Sequence, residues 1–252
     1  MRLRLTLAYD GAGFRGWQSQ PGGGSVQDIL QEAMTRLAGG KKVSVQGSGR
    51  TDAGVHAVGQ VAHADVPAAR GNARFWLYAL NAVLPARIRV MSCRIVPDDF
   101  HARFSATGKI YDYYLWTGPV LPPHQAGRCW HVREIDVAAL RRAAKILAGR
   151  HDFAAFAANR GTPVGDTRRN LRRIVVSARG PLVRIRFEGD GFLYKMVRML
   201  VAAMVRAAQG KGTLQDLRAR LAGRGTASRR EVAPAEGLYL VGVRSGKKTQ
   251  SG

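Results

Sequence analysis

Two periodicities alternate along this chain in the same order twice, and that order leaves few architectures open. Leu3, Leu5 and Leu7 alternate with Arg2, Arg4 and Thr6, the pattern of a half-buried strand. Residues 21–24 form a Pro-Gly-Gly-Gly loop, and Ser25 is placed to cap a helix running to about Ala38, with Val26, Ile29, Leu30, Ala33, Met34 and Leu37 at helical spacing. Val43 and Val45 start a strand that enters a glycine-rich stretch, and 60–66 is its hairpin partner. A second helix at 74–84 is closed by Pro85, and a strand follows at 88–96. The first half therefore reads β-α-β-β-α-β.

The second half repeats the order. A strand at 109–117 puts Tyr111, Tyr113 and Leu115 on one face, and 136–148 is helical. A hairpin joins 171–177 to 182–188 around Arg179-Gly180-Pro181. A long helix at 193–209, a shorter one at 214–221 and a strand at 238–243 complete it. The expected fold is α+β: two ferredoxin-like (RRM-like) halves, each an antiparallel sheet with helices on one face. The expected boundaries are 1–103 and 104–244, with a disordered tail at 245–252.

Charge narrows the partner. The chain carries 40 Lys and Arg against 17 Asp and Glu, a formal net charge of +23, and 32 of the cations are arginine. Basic groups gain affinity for phosphates by releasing condensed counterions, and guanidinium forks grip phosphates and stack on bases as ammonium groups do not. A nucleic-acid partner is expected. The two cysteines, Cys93 and Cys129, form no C-x-x-C pair, and the six histidines show no zinc spacing. Neither a signal-peptide core nor a membrane-length apolar run is present, so a cytoplasmic protein is expected.

Against that background Gly49-Arg50-Thr51-Asp52-Ala53-Gly54-Val55-His56 stands out. It sets a carboxylate on a tight glycine-flanked loop, where it has the wrong sign for holding a polyanion. By itself a D-x-G segment is also what an ordinary turn looks like. Lys195 and Arg198 lie near the start of a helix, where cations oppose the dipole and call for anionic partners. Tyr111 is either a base-stacking aromatic or a core residue.

The residues from Gly49 to His56 resemble the signature of the tRNA pseudouridine synthase A (TruA) family. So do Tyr9-Asp10-Gly11 through Gly16-Trp17-Gln18, Ser25-Val26-Gln27, Asn81 through Leu84-Pro85, Asp98 through Ala106, Lys109-x-Tyr111-x-Tyr113, Met196-Val197-Arg198 and Ala235 through Leu240, in that order. The resemblance implies an isomerase converting uridine to pseudouridine at positions 38, 39 and 40 of the tRNA anticodon stem-loop. It implies that the two halves form a shared antiparallel sheet with an active-site cleft between them, and it implies no cofactor or metal and a homodimer. Residue by residue it makes Asp52 the catalytic group, Arg198 its ion partner, Tyr111 the residue on the uracil and Leu238 an apolar wall. Arg50 would help extrude the nucleotide. Lys195 is expected to face substrate phosphate because of its place near the helix start, independently of the resemblance. Asp112 departs from the pattern, since the family more often has a basic residue there. The alternatives are a related synthase with a different RNA target and a non-catalytic RRM-like RNA-binding protein, which would have no use for Asp52.

Overall fold

The computed structural model describes residues 1–158, 165–224 and 231–246. Along the chain the elements run β1 (Arg2–Tyr9), α1 (Val26–Leu37), β2 (Val45–Gly47), β3 (His56–Asp65), α2 (Ala73–Val83) and β4 (Ile88–Val96). They continue with β5 (Ala106–Trp116), β6 (Trp130–His131), α3 (Val137–Leu147), β7 (Gly149–Asp152), β8 (Arg168–Arg179), β9 (Leu182–Gly189), α4 (Met196–Ala208), α5 (Leu214–Leu221) and β10 (Leu238–Ser245). The class is mixed α+β, and most strand pairs are antiparallel. The chain divides into two compact units, Met1–Thr107 with Tyr239–Gly252, and Gly108–Leu238.

In the first unit β4, β1 and β3 lie side by side, and β2 and β10 both pair with β3. Strict alternation in β1 buries Leu3, Leu5, Leu7 and Tyr9 on one face. Val26, Leu30 and Met34 of α1 and Trp76 and Leu80 of α2 are buried with them. Helix α1 starts where the sequence puts it. Ser25 accepts from the Asp28 amide, and the Asp28 carboxylate accepts from the Ser25 amide at 3.1 Å, a reciprocal capping box. Helix α2 stops at Val83 because Leu84, before Pro85, is extended. The β1–β4 register slips by one residue after Thr6, leaving Met91 bulged. The Asn81 amide serves the backbone there, donating to Val90 O at 2.8 Å and accepting from Val90 N at 3.0 Å. This gives α2 a polar bracket onto β4.

The second unit pairs β5 with β9, β9 with β8 and β8 with β7, and β6 lies along β5. The sequence reading missed the two short strands β6 and β7. It also started α4 at Leu193, whereas the helix begins at Met196. Lys195 takes the left-handed conformation, φ 58°, and breaks the helical run before it. Ten of the thirteen residues of α4 are buried, so this helix is wrapped by protein on nearly every side.

The last strand, read as the end of the second half, pairs with β3 and groups with the first unit. Tyr239 and Leu240 run parallel to His56 and Ala57 of β3. The two units are therefore not consecutive stretches of chain. The tail beyond Gly246 lies outside the described residues.

Candidate active site

Asp52 sits half-buried on the loop from β2 to β3, and almost every anchor of that loop falls on the residues around it. Ser48 N donates to Val61 O at 2.7 Å, and the Gln60 side chain donates to Gly49 O at 2.9 Å. Trp17 N donates to Thr51 O at 3.1 Å, and the Tyr9 and Thr51 hydroxyls lie 2.8 Å apart. The turn itself closes with Val55 N donating to Asp52 O at 3.1 Å, and Gly54 takes φ 77°.

Two other glycines are there because backbone meets backbone. A methyl group on Gly16 would come within 2.6 Å of Thr51 O, and one on Gly11 would overlap the Val55 carbonyl. These contacts explain why Tyr9-Asp10-Gly11 and Gly16-Trp17, some forty residues away in sequence, belong to the same site. The Trp17 indole packs over Gly47 and lies 6.1 Å from the Tyr9 ring. Burial pushes the Tyr9 hydroxyl far above its ordinary pKa, so it stays a neutral hydrogen-bonding group.

Downstream of the loop, His56 Nδ1 lies 3.1 Å from both Gly11 N and Asp10 Oδ1. Its ring stacks on Tyr239 of β10 at 4.5 Å and 17°. The end of the loop is thus packed against a strand from the far end of the chain. Arg50 is exposed beside Asp52.

The second unit holds Tyr111, Lys195, Arg198 and Leu238. Tyr111 is 7% exposed, with its ring edge-to-face against Phe192 at 5.0 Å. Arg198 is the third residue of α4. Its Nε donates to Ala233 O at 2.7 Å, and Ala233 N donates to Arg198 O at 3.2 Å. Tyr113 donates to Pro234 O at 2.9 Å and packs on Gly237 so closely that no side chain fits there. Arg198 and Tyr113 together hold the segment leading to Leu238, which is buried. Lys195 places its ammonium 5.2 Å from the Tyr194 ring centre.

Sequence reasoning missed Thr51, Gln60 and Tyr113 as supports. Their partners are set by strand register and loop packing, which no local pattern reveals. Asp112, the departure from the family pattern, is 1% exposed and forked by Arg186 at 2.7 Å on both oxygens. That pair raises the Arg186 pKa. Among the described residues no group of three or more His, Cys, Asp or Glu could hold a metal ion, and no helix is long and apolar enough to cross a membrane.

Residues 6–105 and 143–244 match the family described as tRNA pseudouridine synthase. A tRNA pseudouridine synthase A of Akkermansia muciniphila is 46% identical, with 98% of this chain and 96% of that protein covered. Namesakes from Solidesulfovibrio magneticus and Geobacillus kaustophilus are 47% and 42% identical, covering 97% and 95% of this chain and 91% and 92% of theirs. The first match takes in the whole Asp52 loop with its clamps, and the second takes in Lys195, Arg198 and Leu238. By matches of this length and identity, the chain belongs to the tRNA pseudouridine synthase family.

Proposed function

We infer that this chain isomerises uridine to pseudouridine in tRNA, at positions 38, 39 and 40 of the anticodon stem-loop, with Asp52 as the catalytic carboxylate. The observation that carries this reading is the Asp52 loop, whose backbone and neighbouring Thr51 take the clamps while the carboxylate sits half-buried. A carboxylate on a loop anchored this way is held in position for a reaction.

The isomerisation breaks the C1′–N1 bond, turns the uracil and forms a C1′–C5 bond. N1 gains a proton and C5 loses one, so no redox partner or net proton is needed. A carboxylate can attack the sugar or the base, or remove a sugar proton, and it is regenerated in each case. Tyr111 would lie on the uracil and accept or relay the C5 proton. Arg198 would pair with Asp52 to keep it ionised and aimed. Leu238 would wall the pocket, Lys195 would face substrate phosphate, and Arg50 would help extrude the nucleotide, because a stacked base is out of reach.

This assignment puts the site in a cleft between two ferredoxin-like halves. The working form would be a cytoplasmic homodimer whose joint basic surface holds tRNA. The charge of +23 supports the polyanionic substrate.

Pseudouridine mapping on a tRNA transcript tests the reading. Asp52→Ala should lower conversion by on the order of 10³-fold or more while leaving tRNA affinity nearly unchanged. Conversion by the variant at a rate near wild type would remove Asp52 from the chemistry. Modification only outside the anticodon arm would reassign the target.

A further inference from the structure

The stretch from Asp98 to Ser105 has no part in the chemistry above, yet it builds a surface of its own. It folds over the sheet face of the first unit that turns away from the buried leucines. Across that face Arg4 of β1 stands directly between His63 of β3 and Arg94 of β4. Directly opposed residues on antiparallel strands share a face, so two guanidiniums are neighbours there. The row beside them is balanced, since Arg2 grips Asp65 through Nε at 2.9 Å and Nη2 at 2.7 Å. Among the described residues the Arg4–Arg94 row has no such carboxylate. Burial, and then the charge of Arg94, push the Arg4 pKa down. Like charges placed opposite each other cost stability, so a fold that keeps them has a use for an anion.

Rings continue the row. The Arg4 guanidinium lies 6.0 Å from the Phe100 ring centre, and His63 sits 6.2 Å from Phe100 and 4.6 Å from His101. His101 packs on Phe104 at 4.3 Å, and Arg103 lies over Phe104 at 5.6 Å. The segment is rigidly tied. Ala102 N donates to His63 Nδ1 at 3.2 Å, and Arg103 N and Phe104 N donate to His101 Nδ1 at 3.1 and 3.3 Å. Arg2 donates to the carbonyls of Asp98 and Phe100. Phe104 is nonetheless 61% exposed, an aromatic face presented to solvent beside an exposed arginine.

We propose that Arg4, Arg94, Arg103 and Phe104 form a second tRNA-binding subsite, in which the guanidiniums hold backbone phosphate and Phe104 stacks on an unpaired base. Exposed aromatics interleaved with arginine are how proteins hold single-stranded nucleotides, and a bare guanidinium pair suits a phosphate. The proposal rests on tRNA being the substrate. His63 is seven residues along β3 from His56, about 24 Å at about 3.4 Å per residue. The subsite therefore touches tRNA well away from the nucleotide at Asp52, and it acts on KM rather than on kcat.

The test uses the full chain and a full-length tRNA transcript, with Arg94→Thr, Arg103→Ala and Phe104→Ala. Each arginine variant should weaken binding several-fold and make the slope of log affinity against log salt shallower by about one. Phe104→Ala should weaken binding by about 5- to 100-fold with the slope unchanged. All three should raise KM while kcat at saturating tRNA moves less than twofold. Arg94→Thr should also raise the melting temperature by about 1–3 °C, because it removes a repulsion and places a good strand former. A purely structural arginine would not give higher stability together with weaker binding. Wild-type slope and KM in all three variants would overturn the proposal. So would a changed sedimentation mass with unchanged tRNA affinity, which would give this face to a protein partner. Conversion by the unmodified chain, followed in parallel, reports separately on the functional reading.

Discussion

The loop bearing Asp52 and the segment leading to Leu238 are both irregular stretches fixed by buried groups, but they are fixed differently. The Asp52 loop is held by Tyr9, Gly16, Trp17 and Gln60, none of which is proposed to touch substrate. The segment before Leu238 is held by Tyr113 and by Arg198, which is also proposed to pair with the Asp52 carboxylate. Support and chemistry are separated in the first unit and combined in the second. Substitutions in the first should therefore split cleanly into effects on rate or on stability, whereas those at Arg198 should not.

The largest combined effect on rate and stability should come at Arg198. Arg198→Ala should cut single-turnover conversion by on the order of 10²-fold or more and also lower the melting temperature, because the Ala233 carbonyl loses its donor. Asp52→Ala should lose the rate with a smaller fall in melting temperature than Arg198→Ala. An Arg198→Ala protein with wild-type stability would break the comparison. The next effect is purely structural. Asp112→Ala leaves Arg186 partly buried without its fork, and about 2 kcal/mol should be lost in urea unfolding, less than for a fully buried pair because Arg186 is partly exposed. Conversion by the surviving folded fraction should be normal.

The first unit carries a pH dependence of its own. Burial, with help from His101 and Arg2, takes the His63 pKa down to about 4. The unfolded chain binds that proton near the ordinary 6.5, so stability is full above that value and is lost as pH falls from 6.5 toward 4. His63→Gln should flatten the loss by about 2 kcal/mol across that window, read from urea midpoints at each pH. The smallest effect belongs to Tyr9. Tyr9→Phe removes one buried hydrogen bond, worth about 1 kcal/mol, and should leave the rate of conversion and the tRNA affinity within about twofold of wild type. A weakened affinity instead would mean that the loop's clamp also shapes the binding surface.

Much of this was legible in the sequence where the information is local. Leu3, Leu5 and Leu7 announce β1, Ser25 announces α1, and 88–96 and 214–221 are strand and helix as read. The start of α4 was not legible, because Lys195 in a left-handed conformation looks like any helix-tolerant lysine. Nor was the pairing of β10 with β3, which joins residues some 180 apart and leaves no periodic trace. The site divides the same way. Asp52 became a candidate through its glycines, its sign and the ordered blocks around it, while the Tyr9–Thr51 bond and the Asp112–Arg186 fork depend on which strands meet and in what register.

The return of β10 to the first unit has a consequence for how this protein is made. During synthesis β1 and β3 can pair long before Tyr239 and Leu240 exist, so the His56–Ala57 edge of β3 must wait for about 170 more residues. At about 5–20 residues per second that wait is roughly 9–35 s. Throughout it, His56 lacks the ring it finally stacks on, and the end of the Asp52 loop is open. Translation itself thus withholds the finished loop until Tyr239 and Leu240 have emerged, so a chain cut before them would carry the Asp52 motif without its Tyr239 support.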